Sequence, residues 1–234
     1  MRSGLGFGGA VLALPFLLLV LDQPLVFLPI IGIHLLLFSA LTVYQNHRKL
    51  GTGERGTVDW AFLRYALLIM AVPKIIGVFG VITLPGELIS GFVFVIVSIY
   101  AVSYILDRPF KSNNRWLDHF FMMLGGYVSG TSLIAAPLVV PVAANRVRKE
   151  QLRDTLFALW FILVSVKLGA FIVAGVNLQL IHQLWLLPCA ALGHVIGLRF
   201  HAYTLQAEPK VFFRVIGSGL LMVSLVGMWR LLQP

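Results

Sequence analysis

Two lysines lie inside long apolar segments of the chain, where a charged group is costly. Lys74 stands in the stretch AVPKIIG and Lys167 in the stretch LVSVKLGAF. A cation near the centre of a membrane helix costs at least ~2.5–3.5 kcal/mol. Such a lysine must lose its proton, extend its ammonium group to the membrane surface, or bind an anion. We expect the two lysines to converge on one small anion, with surface extension or simple packing as the alternatives.

No acidic residue within these segments is available to neutralise the lysines. The nine acidic residues all occur in loops or at segment ends; they are Asp22, Glu54, Asp59, Glu87, Asp107, Asp118, Glu150, Asp154 and Glu208. Pro73 frees a backbone carbonyl beside Lys74, which is another candidate partner. The lack of intramembrane carboxylates argues against a carboxylate proton relay. Transport driven by the membrane potential, or coupling through histidine or lysine protonation, stays open.

Two glycine-rich stretches predict helices that break inside the membrane. They are GLGFGGAVLALP (residues 4–15) and LGGYVSGTSLIAAP (residues 124–137). A half-helix that restarts in mid-membrane has unpaired N–H groups with partial positive charge, which favour an anion. We expect the restarts near residues 8–9 and 130–132, with close packing of small residues as the alternative. The candidate anion-binding residues are Gly6, Gly8, Gly9, Ser129, Gly130, Thr131 and Ser132.

Two histidines, His34 and His194, are weaker candidates for the same site. Both lie within apolar segments, where a neutral histidine can donate to an anion or relay a proton, but is more often part of the core. The histidines show no metal-ligand spacing, so we expect neither a metal nor a cofactor. Ser129 with a histidine would imitate a rhomboid-like catalytic dyad, but Tyr127 stands where that motif has glycine.

The elements that must position these residues are membrane helices. The chain of 234 residues is 59% hydrophobic and 12% charged, whereas soluble domains carry about 25% charged residues. Soluble globular and disordered classes are therefore excluded. The one cysteine, Cys189, permits no disulfide framework, and the net charge of +9 is spread over short loops, which excludes nucleic acid as a partner. Apolar segments fall at 9–21, 25–45, 60–80, 88–106, 119–144, 154–174, 184–200 and 212–232.

The distribution of lysine and arginine predicts the orientation of these segments. The basic loops are 46–59, 107–118, 145–153 and 201–211, whereas the loops 22–24, 81–87 and 175–183 hold no Lys or Arg. The positive-inside rule places the basic loops in the cytoplasm and the C-terminus outside. Segment 119–144 then starts and ends on the cytoplasmic side. Its 26 or so residues can cross a ~30 Å core only once as a helix, so we expect a re-entrant pair of half-helices.

The order of elements predicts an inverted repeat. Each glycine-rich stretch is followed by three longer apolar segments, and the two sets have opposite loop orientations. The expected fold is all-α and polytopic, with two inverted repeats that each contain a glycine-broken pair of half-helices and three transmembrane helices. The first repeat would cover residues 1–107, with its first half-helix missing, and the second residues 119–234 of one membrane domain.

The sequence resembles the TauE/SafE family of sulfite and organosulfonate exporters over nearly its whole length. The resemblance rests on Gly6, Gly8, Gly9 and Pro15, with Ala10 in place of a third consecutive glycine, and on a degenerate second copy. That copy comprises Gly125, Gly126, Ser129, Gly130 and Pro137. The steps Val58-Asp59-Trp60 and Leu84–Leu88 also look like the family. Family members usually have an apolar half-helix before the first glycine motif, whereas this chain starts almost at the motif.

These features together predict a secondary transporter of small anions that works by alternating access. The resemblance implies sulfite, sulfonates or related organic anions as substrates, export from the cytoplasm, and location in the inner (plasma) membrane. The expected partners are a small anionic substrate and membrane lipid, and the sequence is compatible with a homodimer. The alternatives are an anion channel and an intramembrane serine hydrolase; neither transporter nor channel would be an enzyme.

Overall fold

The structure, a computed structural model, describes residues 8–48, 57–107, 114–204 and 209–233. These residues form helices joined by short connections. No strand occurs among these residues. In chain order, the helices are α1 (Gly8–Val20), α2 (Pro24–Arg48), α3 (Trp60–Thr83), α4 (Gly86–Ile105), α5 (Arg115–Ser132), α6 (Ala136–Arg146), α7 (Lys149–Val173), α8 (Leu180–Thr204) and α9 (Pro209–Leu231). The all-helical class predicted from composition is therefore confirmed.

Five of the described helices are long and apolar enough to cross a membrane. They are α2, α3, α4, α7 and the part of α9 from Arg214 to Leu231. Large apolar side chains on these helices remain exposed in the isolated chain, as at Leu68 (80%) and Phe79 (67%). Helices that are apolar on their outward as well as their inward faces are typical of membrane proteins. The chain is therefore a multi-pass membrane protein.

Three helix pairs form most of the bundle. Helix α3 packs on α5, α4 on α9, and α2 on α7. The core between the helices contains fully buried apolar side chains, among them Leu63, Met70, Met122 and Leu159. Helix α3 also contacts α7, so that α3, α5 and α7 meet around one another. This trio carries most of the residues that the sequence singled out.

Helices α5 and α6 form a hairpin whose break differs from the predicted one. The expected restart at residues 130–132 is wrong, because α5 continues through Ser132 and α6 begins only at Ala136. The break occupies residues 133–135, where Leu133 adopts a left-handed conformation with φ of 62°. The reason lies in helix pairing: the glycines of α5 contact α3 as a continuous helix, and so they do not interrupt it.

The first glycine-rich stretch is described only in part. Helix α1 is described from Gly8 and continues through Pro15 to Val20 as one helix. Gly8 and Gly9 are helical, and the predicted restart near residues 8–9 stays a prediction, because the residues before Gly8 lie outside the described part of the chain. Gly6 and the rest of residues 1–7 lie outside the described part of the chain, as do residues 49–56, 108–113, 205–208 and 234.

An ion pair joins the open end of the α5–α6 hairpin. Arg146, in the last turn of α6, donates its Nε to Asp118 Oδ2 at 2.9 Å, and the two side chains form a salt bridge. The Arg146 guanidinium also lies 4.7 Å from the ring centroid of Tyr65 on α3. One arginine thus connects α5, α6 and α3. Asp118 is favourably placed as well, since an acidic group in the first turn complements the helix dipole.

We expect Arg146→Gln to lower the free energy of unfolding by about 1–3 kcal/mol, because it removes the salt bridge between α6 and the Asp118 carboxylate. That side chain is 11% exposed and Arg146 is 32% exposed, so the effect is smaller than for a fully buried pair. Thermal unfolding of the purified protein in detergent would measure it. Arg148→Gln is the matched control, because the Arg148 side chain is exposed and bonds to the side chain of Gln151. Equal melting of the two variants would contradict the assigned role of the ion pair.

Candidate anion-binding site

Lys74 reaches the protein interior because it falls on the buried stripe of α3. The buried positions recur every three or four residues, as one face of a helix requires; they are Leu63, Ala66, Met70, Lys74, Gly77 and Val81. The side chain of Lys74 is 1% exposed. Surface extension of its ammonium group, the alternative considered from the sequence, is therefore excluded for Lys74.

Lys167 reaches the interior in the same way on α7. It continues the buried row Leu156, Trp160 and Leu163, which ends at Phe171, and it is also 1% exposed. Its Nζ atom lies 5.5 Å from the ring centroid of Phe171, a distance compatible with a cation–π contact. Lys167 is thus enclosed by apolar groups, and its amine is directed toward the end of α5.

Both lysines bond to the C-terminal end of α5. Lys74 Nζ donates to the backbone oxygen of Ser129 at 3.0 Å and to Ser129 Oγ at 2.8 Å. Lys167 Nζ donates to the backbone oxygen of Thr131 at 3.2 Å. The last four carbonyls of a helix lack intrahelical partners and carry partial negative charge, which cations stabilise. The two lysines therefore cap, from α3 and α7, a helix that ends inside the protein.

The ammonium groups retain donors beyond these bonds. A protonated lysine has three N–H groups, and Lys74 uses two of them while Lys167 uses one. Within the described part of the chain, their partners are uncharged oxygen atoms only. The two amines are also close enough for their charges to act on each other. The cluster therefore has three remaining donors when both lysines are charged, and an excess of positive charge that an anion would neutralise.

The start of α6 lies three residues beyond the end of α5, to which the lysines bond. Its N-cap residue, Ala135, makes no side-chain cap bond, and both Ile134 and Ala135 are fully buried. Pro137 has no N–H group, and the Leu138 and Val139 N–H groups bond to the Ala135 carbonyl, so this end offers an anion its helix dipole and not a set of free donors. Sequence reasoning missed these residues, although a signal was present. Pro137 is a residue typical of the first turn of a helix, and it marked the restart.

The hydroxyl groups of the α5 terminus are less available than the sequence suggested. Thr131 Oγ1 donates to the Val128 carbonyl at 3.1 Å, and Ser132 Oγ donates to the same carbonyl at 3.0 Å. Their hydrogen atoms are thus used within α5, as is common for such residues in helices. The Ser129 hydroxyl accepts from Lys74. Of the four predicted residues 129–132, Ser129 and Thr131 accept hydrogen bonds from the lysine amines.

Gly130 has a packing role that the sequence analysis named as the alternative. A Cβ atom at this position would lie 2.5 Å from the Lys74 backbone oxygen and 2.8 Å from Gly77 Cα. At Gly126, one turn earlier, it would lie 2.7 Å from the Met70 backbone oxygen. The sequence Gly126-x-x-x-Gly130 thus lets the backbones of α3 and α5 touch, as small residues do in membrane helix pairs. This contact brings Lys74 to the end of α5.

His34, the predicted histidine whose side chain the structure describes, makes no hydrogen bond to either lysine. His34 on α2 lies beside Gln183 of α8 and 6.4 Å from the ring of Phe38. His34 Nε2 and both amide atoms of Gln183 are buried with no well-formed hydrogen bond. The backbone of His194 belongs to α8, but its side chain lies outside the described structure. Its role as a ligand stays a prediction.

No group of three or more His, Cys, Asp or Glu residues within the described ranges could hold a metal ion. The lysine cluster lies where one helix ends and the next begins in a multi-pass membrane protein, and its remaining N–H donors make it a candidate anion site. The chain belongs to the sulfite exporter TauE/SafE family, whose profile matches residues 1–228. Comparisons with curated proteins and with solved structures give no match. Family membership indicates a membrane exporter of sulfite or related anions, and the family is one of transporters.

Proposed function

We propose that this protein is a secondary carrier that moves sulfite, sulfonates or related small organic anions out of the cytoplasm. The observation that supports it is the pair of buried lysines at the α5–α6 break. Their remaining N–H donors attract an anion, and the dipole at the start of α6, three residues beyond the end of α5, adds to this attraction. A group with three oxygen atoms, such as sulfite or a sulfonate, can accept from several of these donors at once.

Alternating access is the mechanism that we propose for this carrier. The α5–α6 hairpin would be re-entrant from the cytoplasmic side of the inner membrane, and residues 1–107 and 119–234 would form inverted repeats that rock around the site. In support, α5 and α6 span only roughly 27 Å and 16 Å at 1.5 Å per residue. Helix α6 is therefore too short to cross a ~30 Å core alone. The C-terminus would lie outside.

Counterflow of labelled sulfite in proteoliposomes tests this function. The purified protein is reconstituted with unlabelled sulfite inside, and labelled sulfite is added outside. We expect uptake that saturates with sulfite concentration and that internal sulfite accelerates. The reason is that a carrier can return with unlabelled sulfite bound and so exchange it for labelled sulfite. Uptake that neither saturates nor responds to internal sulfite would identify an anion channel instead. No uptake above protein-free vesicles for sulfite and sulfonates alike would refute the proposal.

One observation favours testing the hydrolase alternative as well. Lys74 Nζ lies 2.8 Å from Ser129 Oγ, and lysine can serve as the base of a nucleophilic serine. No histidine whose side chain is described bonds to Ser129 as the partner expected from the sequence. However, the same amine donates to the Ser129 carbonyl, which fits a helix cap better than a base. Labelling by a serine-directed fluorophosphonate, lost in Ser129→Ala, would establish the hydrolase, and its absence would leave the carrier.

A further inference from the structure

We propose that each anion crosses the membrane together with one proton, which Lys167 binds when the anion enters and releases when it leaves. This inference rests on the proposed carrier function and assigns it a coupling ion. It follows from the balance of charges around the two lysines, which differs between the empty and the occupied site. The step involves only a proton: the Lys167 amine takes it from water on the entry side and returns it to water on the exit side.

The empty site has too few hydrogen-bond acceptors, and no negative charge, to stabilise two ammonium groups. Lys74 has two oxygen acceptors on Ser129, whereas Lys167 has the single Thr131 carbonyl, at 3.2 Å. Both side chains are 1% exposed, so water does not solvate them. Two cations that lie close together in a medium of low dielectric constant repel each other strongly. Lys74, with the better acceptors, keeps its proton, and Lys167 is the neutral member of the empty pair.

The elements packed against α7 bring no other charge to Lys167. Helix α3 contributes Lys74, whose positive charge acts on Lys167. Helix α2 contributes His34, which lies beside Gln183, and α6 contributes Arg146, which is paired with Asp118 at the far end of the hairpin. Asp154, on α7 itself, accepts from Asn46 on α2. No carboxylate among the described residues therefore keeps Lys167 charged in the absence of an anion.

A bound anion changes this balance. Its negative charge between the lysines attracts a second proton, because an opposite charge within a few ångströms favours the protonated amine. By linkage, whatever makes the proton bind more tightly also makes the anion bind more tightly. A monovalent anion and one proton then move as a neutral pair. Such transport would respond to the pH gradient and not to the membrane potential, which distinguishes it from a uniporter. Export would then be driven by the outward concentration gradient of the anion.

Isethionate is the probe that isolates the protein's own proton. It is a sulfonate that remains a monoanion at neutral pH, whereas sulfite itself exchanges a proton in this range. Proteoliposomes that contain a trapped pH-sensitive dye report proton entry while labelled isethionate reports anion entry. We expect one proton per isethionate in the native protein. We also expect no change in rate when a potassium diffusion potential is imposed.

Variants identify the group that carries the proton. Lys167→Arg keeps a permanent positive charge, so we expect anion entry without proton entry, at a rate that becomes sensitive to the potential. His182→Gln removes an exposed titratable group from the start of α8 and should leave both fluxes unchanged. If Lys167→Arg fails to fold, the native protein still decides the question. Its affinity for isethionate should fall about tenfold per pH unit above the pH at which the empty site loses its proton.

The possible failures are separable. Anion exchange without proton movement in the native protein would overturn this inference and leave the carrier intact. Proton entry that persists in Lys167→Arg would transfer the role to another group, such as His34, and would equally overturn it. If the native protein exchanges no anion of this class, the proposed function fails, and the proton coupling fails with it.

Discussion

Gly130→Ala is expected to prevent α3 and α5 from packing and to destabilise the protein by about 3 kcal/mol or more. The added Cβ would meet three backbone atoms of α3: the Lys74 oxygen at 2.5 Å, Gly77 Cα at 2.8 Å and the Val78 nitrogen at 2.9 Å. Overpacking of a core typically costs about 1–3 kcal/mol when side chains can adjust. Here the obstacle is backbone, so a whole helix must shift.

The consequence extends to the lysine cluster. A shift of α3 away from α5 would separate Lys74 from Ser129, whose carbonyl and hydroxyl groups it now contacts. We therefore expect Gly130→Ala to lose anion exchange as well as stability. Size-exclusion chromatography and thermal unfolding in detergent would measure the effect on the fold, with a decrease in melting temperature of at least about 6 °C.

Gly169→Ala is the matched control for this substitution. Gly169 lies on α7, and nothing lies within 4 Å of a Cβ atom added there. Alanine is favoured over glycine within helices by roughly 0.5–1 kcal/mol, so the control should be as stable as the native protein or more so. If Gly130→Ala and Gly169→Ala melt at the same temperature, the close contact of α3 with α5 is wrong.

Lys167→Gln is expected to abolish anion exchange while the protein stays folded. The substitution removes the cation that the bound anion would contact, and the loss of a charged hydrogen bond of this kind should weaken binding about 100-fold or more. Stability should be preserved or improved, because no carboxylate among the described residues depends on Lys167, and a second amine is no longer buried close to Lys74. Sulfite counterflow and thermal unfolding of the same preparation would measure both effects.

Two further substitutions make the result specific. Lys149→Gln, on the same helix, removes an exposed lysine and should leave exchange unchanged. Lys74→Gln should lose exchange and also stability, because Lys74 makes two bonds to α5 where Lys167 makes one. Native exchange rates in folded Lys167→Gln would show that the anion binds elsewhere and that the lysine serves only as a helix cap.

The burial of the lysines could be predicted from the sequence, but their partners could not. Lys74 and Lys167 fall on helical stripes of buried residues, and the absence of carboxylates from their segments was visible in the sequence. That the partners would be the carbonyls of Ser129 and Thr131 depends on where α5 ends relative to α3 and α7. This relation between distant segments has no signature in the local sequence. The freed carbonyl beside Pro73, a nearer candidate, is not the partner that the structure shows.

The position of the break also depends partly on the local sequence and partly on tertiary contacts. The glycines and hydroxyl residues of 125–132 favour a helix break by local propensity. In the structure, α5 continues through them, because Gly126 and Gly130 contact α3 and the lysines cap the carbonyls at its end. The chain turns only at Leu133, whose left-handed conformation costs roughly 1–2 kcal/mol by itself. Tertiary contacts thus override propensity over about one turn.

What the sequence determined by itself is the membrane class, the positions of the apolar helices and the existence of a broken hairpin with two buried cations nearby. These features follow from composition and periodicity, because transfer of a segment into a membrane depends on its own residues. The tertiary structure alone decided that the helix ends at Ser132, that α3 and α7 cap it, and that His34 lies beside Gln183 instead of the lysines. These features depend on the close packing of helices far apart in the chain, and only the folded arrangement specifies it.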